Sequence, residues 1–181
     1  MDELKTGDLI MFQGKMWTSY IVQWLTSSMW SHVGIVWRDP PGNPPGVYLL
    51  HSDGTIDDFG VQIDLLSKYL DEYVGKVFVY PIQGVEADKF APIAQIYQET
   101  QDTGYDLYPP DIIRILTGGC MRRARTTQYF VCSTYTAYVY ERVGLICPCS
   151  DWTLVQPKHL VEEPSPVEWQ GCSFGSPIQL K

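Results

Sequence analysis

One cysteine stands where a strand-like segment meets a helix-like one. Residues 128–140 read QYFVCSTYTAYVY, and their alternating β-branched and aromatic side chains are typical of a strand. From Tyr135 to Val143, however, apolar residues recur at every fourth position, as on one face of a helix. We therefore predict a strand that ends just before Cys132 and a helix that runs from Cys132 to about Arg142.

This position would suit nucleophilic chemistry. The positive end of a helix and a neighbouring imidazole both lower the pKa of a thiol, and the thiolate is the form that attacks a carbonyl. The alternative is that Cys132 is a small apolar residue packed in the core, which is a common role for a free cysteine. The segment alone does not decide between these interpretations.

Two of the three histidines fall at ends of strand-like segments. His32 opens HVGIVW at 32–37, with Gly34 on the same strand face, and His51 closes VYLLH at 47–51. Gly34 indicates space beside His32 for a ligand or another backbone. If the two strands pair, the imidazoles approach each other across the sheet. A structural role in the core is the alternative for each histidine.

The chain of 181 residues is predicted to be one domain at 1–161, with an extended tail at 162–181 on the same domain. The net charge of −8 argues against nucleic acid as a partner. Five cysteines without a regular disulfide framework favour a cytoplasmic or other reducing compartment. The sequence shows no signal peptide and no apolar run that could span a bilayer.

The remaining elements are predicted from periodicity. Strands are expected at 9–12, 61–64 and 76–81, helices at 16–30, 86–100 and 111–116, and a short helix or loop at 65–73. Residues 39–46 form a loop rich in proline and glycine. Cys147 and Cys149 suggest zinc only weakly, because no second cysteine pair lies at ligand spacing. We predict no metal and no cofactor.

Three motifs occur in a characteristic order: GDLIMF at 7–12, SHVGIV at 31–36 and YFVCST at 129–134. That order resembles the circularly permuted branch of the NlpC-like superfamily of papain-fold cysteine hydrolases. This branch includes YiiX/YaeF-type amidases, their poxviral relatives and lecithin retinol acyltransferase-like enzymes. The resemblance spans about 7–159 and implies an α+β fold in which a small antiparallel, barrel-like sheet packs against the cysteine-bearing helix.

The resemblance also implies roles for individual residues. Cys132 would be the nucleophile, His32 the base, and His51 the residue that orients the base. Many permuted relatives have glutamate at that last position, so Ser52 and Asp53 are alternatives to His51. The backbone N–H of Cys132 would donate to the oxyanion, and a tyrosine hydroxyl would be a second donor. Tyr105 is the first candidate for this tyrosine and Tyr129 the second.

The implied activity is hydrolysis of an amide, ester or thioester through an acyl-enzyme on Cys132. The substrate would be a peptide or an acyl-lipid, and peripheral membrane contact is one expectation. The features that favour lipid slightly are the tryptophans at 17, 24, 30 and 37 and the arginines at 122, 123 and 125. The alternative function is an inactive binding module that holds a protein or an acyl chain in the same groove.

Overall fold

The structure is a computed structural model that describes residues 1, 3–15, 28–54, 59–105 and 129–181. Within these ranges the longer strands are β1 (Leu9–Gly14), β2 (His32–Arg38), β3 (Val47–Gly54), β4 (Phe59–Leu65) and β5 (Gly75–Tyr80). Five two-residue strands follow: β6 (Ile82–Gln83), β7 (Gly104–Tyr105), β8 (Tyr129–Phe130), β9 (Ser173–Phe174) and β10 (Ile178–Gln179). The helices are α1 (Leu66–Glu72), α2 (Ile93–Thr100) and α3 (Cys132–Arg142), and 3-10 turns cover Ala87–Phe90, Trp152–Leu154 and Pro157–Leu160.

A six-stranded sheet in the order β10-β5-β1-β2-β3-β4 is the centre of the fold, and all of its pairs are antiparallel. The chain is thus a mixed α and β protein with an antiparallel sheet and, among the described residues, few helices. The C-terminal tail contributes to the sheet, because β10 pairs with β5.

The sheet is apolar on both faces, since successive side chains of a strand point to opposite sides. In β1, Leu9 and Met11 belong to one buried cluster, and Ile10 and Phe12 belong to the other. Helix α3 packs in the first cluster, where most of its residues are buried. Helix α1 covers the second through Leu66. This arrangement brings the start of α3 to one face of β2 and β3.

The helix predicted from Cys132 to about Arg142 is confirmed with those bounds, and residues 65–73 contain the helix α1. The single helix predicted at 86–100 is wrong. It divides into a 3-10 turn at Ala87–Phe90 and the helix α2, whose N-cap is Pro92. Proline has no N–H to donate within a helix, so a new helix begins after it. Most of the helix predicted at 16–30, and all of that at 111–116, lie outside the described residues.

No helix among the described residues is long and apolar enough to cross a membrane.

Candidate active site

The site lies where β2 and β3 separate. These strands pair from Ile35 and Leu50 to Arg38 and Val47, so His32 and His51 lie beyond the paired stretch. Beyond that stretch, the buried Ser52 hydroxyl donates a hydrogen bond of 3.0 Å to the carbonyl oxygen of Phe130. This contact attaches β8, and therefore the start of α3, to the open end of the β2–β3 pair.

The structure brings the two histidines into direct contact. His32 Nε2 lies 2.8 Å from His51 Nδ1, and the ring planes are nearly perpendicular, at 84°. His51 is completely buried, and His32 is mostly buried. Tyr69 of α1 lies beside both rings, with centroid distances of 6.4 Å to His32 and 5.1 Å to His51. The imidazole pair is therefore held by packing from α1 as well as by its own hydrogen bond.

Two carboxylates flank the histidine pair. Asp64 Oδ2 lies 2.8 Å from His51 Nε2, the nitrogen on the far side of that ring from His32. Asp53 Oδ2 accepts a hydrogen bond of 3.1 Å from the Tyr69 hydroxyl. Burial opposes ionisation of Asp53, but attraction to the two histidines and hydrogen bonds from Gly54 and Tyr69 outweigh it, so the pKa of Asp53 lies below its usual value.

Cys132 is the first residue of α3 and is 5 % exposed. The Thr134 hydroxyl accepts a hydrogen bond of 3.1 Å from the N–H of Val131, which stabilises this end of the helix. Hydrogen bonds from the backbone of Val33, Ser133 and Cys132 itself act on the sulfur. The thiol is therefore next to the backbone of β2, one residue beyond His32.

The electrostatics of the site differ from the lowered thiol pKa that the sequence suggested for Cys132. Burial raises the pKa of the Cys132 thiol to about 12, although the three backbone groups act in the opposite direction. Burial likewise lowers the pKa of His32 to about 4, against the attraction of Asp53. Desolvation thus outweighs the helix end, and in this structure the thiol and the imidazole are both neutral near pH 7.

A neutral pair of this kind suits proton transfer that accompanies nucleophilic attack. His32 Nε2 is occupied by His51, so the other ring nitrogen, Nδ1, is the one available as a base. The backbone N–H groups of Cys132 and Ser133, which act on the sulfur in this structure, lie at the start of α3, where helix N–H groups are suited to a developing oxyanion.

The two tyrosines proposed as oxyanion donors lie on neighbouring strands, because β7 and β8 pair in parallel with Tyr105 opposite Phe130. The Tyr105 ring packs against Gly54 at the end of β3: a Cβ at Gly54 would lie 2.7 Å from it. Tyr129 packs near Gly104 and is 50 % exposed. Tyr105 is thus near the histidine strand, and its role stays a prediction, as does that of Tyr129.

Gly34 does not provide space for a ligand, contrary to one of the two uses suggested by the sequence. A Cβ at this position would lie 2.6 Å from Leu49 Cδ1, 2.9 Å from the Leu50 carbonyl oxygen and 3.0 Å from His51 Cβ. The glycine instead permits the close approach of the β3 backbone, which is the second possibility that the sequence suggested. It therefore helps to bring His51 to His32.

The features that suggested a lipid substrate receive little support from the described residues. Trp30 and Trp37 are core residues, only 4 % and 5 % exposed, rather than parts of an open apolar surface. Residues 17, 24, 122, 123 and 125 lie outside the described residues.

Cys147 and Cys149 form a disulfide bond, which the cysteine count did not predict. The two cysteines and Glu168 also have donor atoms within 4.8 Å of one another. Because the sulfurs are bonded to each other, this group does not offer two thiolates to a metal in this state. Within the described part of the chain, Cys132 and Cys172 are the free thiols.

A second group of metal-ligand types lies within the site itself. His32, His51 and Asp53 place one donor atom each within 4.8 Å of the others. Two imidazoles and a carboxylate form a common donor set for zinc, and the contact of His51 with Asp64 is the kind of outer interaction that orients a ligating histidine. The donor types therefore fit a metal ion. The spacing fits less well, because ligands of a tetrahedral Zn²⁺ would be about 3.3 Å apart, whereas the two nitrogens are 2.8 Å apart.

Sequence reasoning missed Asp64 and Tyr69. The signal for Asp64 was the alternation of polar residues in β4, where Gln62 and Asp64 share the strand face that meets His51. Tyr69 gave no such signal, because its contact with Asp53 depends on how α1 folds back over β3.

The fold and these contacts define an antiparallel α and β protein with a Cys-His-His-like group at the junction of two strands and a helix. The chain is similar to the crystal structure of the metalloprotein yiiX from Escherichia coli O157:H7, with a TM-score of 0.60, 15 % identity, and coverage of 96 % of this chain and 97 % of that one. This likeness supports a YiiX-type fold. No family model matches the sequence, and no curated protein matches it.

Proposed function

We propose that the protein is a cysteine hydrolase of the permuted papain-like type, acting on an amide, ester or thioester. Cys132 is the nucleophile, His32 the base, and His51 the residue that holds His32. The observation that carries this proposal is the 2.8 Å contact between His32 and His51 at the strand ends where the thiol of Cys132 meets the backbone of Val33. The YiiX-type fold is consistent with it.

The reaction follows from the neutral state of both groups. As the sulfur of Cys132 bonds to the carbonyl carbon, the thiol proton passes to His32 Nδ1, and the negative charge moves to the carbonyl oxygen. His32 then gives this proton to the leaving group as the carbon–leaving-group bond breaks. Water then attacks the resulting thioester and gives a proton to His32. His32 passes this proton to the sulfur as the carbon–sulfur bond breaks, which releases the acid and restores the thiol of Cys132.

The environment of His32 favours this transfer. Against repulsion from His51, two nearby carboxylates, those of Asp53 and Asp64, attract a positive charge on His32. These groups stabilise the imidazolium that forms in the transition state, while burial keeps the resting ring neutral. Binding of the carbonyl at the helix start would stabilise the sulfur–carbon adduct in the same way.

The experiment is detection of an acyl group on Cys132. The protein is mixed with thioesters of short and long acyl chains and with peptide amides, quenched, and analysed by peptide mass spectrometry. We expect an acyl adduct on the Cys132 peptide. Cys132→Ser should abolish the thioester adduct, and Cys172→Ser, a matched change at the other described free thiol, should retain it. The substrate that reacts fastest also distinguishes peptide from acyl-lipid.

Turnover that persists in Cys132→Ser, or a complete lack of adduct and turnover with every substrate, would contradict the hydrolase. Retention of an acyl chain or peptide without turnover would then support the inactive binding module.

A metal-binding function is a second candidate, and the group of His32, His51 and Asp53 is the observation that favours it. The similar yiiX structure is described as a metalloprotein. A bound divalent ion would supply Lewis-acid chemistry or a bound-water nucleophile. Both facing histidine nitrogens would have to be unprotonated to bind it, which leaves His32 with its proton on Nδ1 and removes the base. The two functions therefore exclude each other at His32.

Zinc titration followed by calorimetry tests this alternative. Binding that is lost in both His51→Gln and Asp53→Asn, but unchanged in Cys172→Ser, would support a metal site. Equal binding by all of the variants would exclude one at these residues.

A further inference from the structure

The buried ring of His51 has a partner at each nitrogen. His51 Nδ1 lies 2.8 Å from His32 Nε2, and His51 Nε2 lies 2.8 Å from Asp64 Oδ2. The ring is completely buried, whereas the Asp64 side chain is 35 % exposed at the outer end of this row. The three side chains form a continuous chain of hydrogen bonds from the partly exposed Asp64 on the edge strand β4 to the base.

The protons of this row can be assigned one after another, beginning at Asp64. An ionised carboxylate only accepts hydrogen bonds, so the proton of this contact belongs to His51 Nε2. A neutral His51 then has a lone pair on Nδ1, which accepts from His32. His32 must therefore carry its proton on Nε2. Its Nδ1 is left with a lone pair.

We propose that Asp64 is a positioning residue that, through His51, fixes the tautomer of His32 and keeps His32 Nδ1 unprotonated as the base for Cys132. The role for Asp64 rests on the proposed function in one respect, because His32 is needed as a base only if Cys132 is the nucleophile. The tautomers themselves follow from the two hydrogen bonds and do not require that any substrate be turned over.

The register of β3 and β4 makes this contact possible. His51 stands opposite Gln62, and Asp64 stands opposite Leu49, so Asp64 is diagonal to His51 on the same face. Diagonal neighbours in an antiparallel pair are within reach of long or aromatic side chains. Asp53 of β3 also lies near the two histidines, but it accepts its hydrogen bonds from Tyr69 and Gly54 rather than from a histidine ring. Asp64 is therefore the carboxylate whose hydrogen bond orients His51.

Tautomers are measured by long-range ¹H–¹⁵N correlation NMR on protein labelled at histidine nitrogen. We expect His32 and His51 each to show the Nε2–H form near neutral pH. His159 is an internal reference, because its Nδ1 accepts a hydrogen bond of 3.2 Å from the Gln156 N–H, which also requires Nε2–H. Single histidine-to-glutamine variants assign the three rings. A doubly protonated His51, or a Nδ1–H form of either His32 or His51, would overturn the proposal.

The cause is tested with Asp64→Ala and Asp64→Asn, with Asp71→Ala as a matched control at an exposed aspartate of α1. In Asp64→Ala, His51 loses the acceptor that selects its tautomer, so we expect a mixture of forms at both His51 and His32. Asp71→Ala should retain the wild-type forms. Unchanged tautomers in Asp64→Ala would overturn the role of Asp64. If Asp64→Ala does not fold, Asp64→Asn replaces it as the test variant. Asparagine has the same shape as aspartate without the charge, and we expect this variant to reduce the Nε2–H form of His51.

Kinetics connects the tautomer to the reaction. With the acyl thioester that labels Cys132, we expect Asp64→Ala to reduce kcat by up to the factor of about 10²–10⁴ that a general base contributes, with little change in KM. An unchanged kcat would refute the positioning role. The two proposals fail separately: wild-type tautomers as expected with no acyl-enzyme would refute the hydrolase and leave the tautomer assignment intact.

Discussion

The buried thiol of Cys132 should be unusually slow to alkylate in the free protein. Burial raises its pKa to about 12 from an ordinary value of 9.0. That difference of about three units lowers the thiolate fraction near pH 7 by about 10³-fold. A more basic thiolate is a better nucleophile, and with a Brønsted slope of about 0.4–0.5 this returns roughly 15–30-fold. The net expectation is alkylation about 30–60-fold slower than an ordinary cysteine.

The assay is iodoacetamide labelling of the folded protein, with quantification of the Cys132 peptide by mass spectrometry. The same chain in denaturant is the reference, because it presents the same cysteine without burial. Rates are measured between about pH 6 and pH 10. We expect the rate for Cys132 to keep rising throughout this range, since it remains below the thiol pKa. His32→Gln should change the profile little, because His32 is neutral across the range.

A different profile would refute this reasoning. If the rate were already high near pH 6, reached a plateau there and fell in His32→Gln, the resting protein would contain a thiolate–imidazolium pair. In that case the attraction between the two charges and the helix end would outweigh desolvation. Such a result would support the hydrolase but would replace the neutral resting state with an ionised one.

Three other perturbations test the structure of the site. The pKa of His32 is lowered from 6.5 to about 4, so the unfolded chain binds a proton at a higher pH than the folded chain does. The free energy of unfolding should therefore fall by on the order of 3 kcal/mol as the pH falls through that interval. Urea unfolding at a series of pH values should show this dependence, and the same dependence in His32→Gln would contradict it. Gly34→Ala would place a Cβ 2.9 Å from the Leu50 carbonyl oxygen, and we expect a loss of about 1–3 kcal/mol in thermal unfolding together with a changed histidine NMR spectrum; an unperturbed spectrum would show that β3 accommodates the methyl group. Ser52→Ala removes the buried hydrogen bond to Phe130 and should cost about 1–3 kcal/mol in urea unfolding, whereas Ser52→Thr, which keeps a hydroxyl, should cost less if the bond is the cause.

Local patterns predicted the elements that carry the site. The spacing of apolar residues placed a helix at Cys132–Arg142, and alternation placed strands that begin at His32 and contain His51. These features depend on the chain's own periodicity, which is why they can be read without knowing what packs against them. The order of three short motifs also indicated the YiiX-type fold, which the similar structure supports.

Only the tertiary structure decided the electrostatics of Cys132. A helix N-terminus is a local feature, and it predicted a lowered thiol pKa. The shift has the opposite direction because α3 is packed against the sheet and excludes water from the sulfur. Desolvation depends on every neighbour that covers a group, so it cannot be read from the residues adjacent in sequence.

The hydrogen-bond partners of His51 also required the fold. The sequence placed His51 near His32, but the contact with Asp64 depends on the register that sets Leu49 opposite Asp64 and His51 opposite Gln62. A shift of one residue would turn Asp64 to the other face of the sheet. The sequence by itself therefore determined the elements on which Cys132, His32 and His51 lie. The pairing of strands determined which of those residues meet, because register joins positions that are distant in the chain.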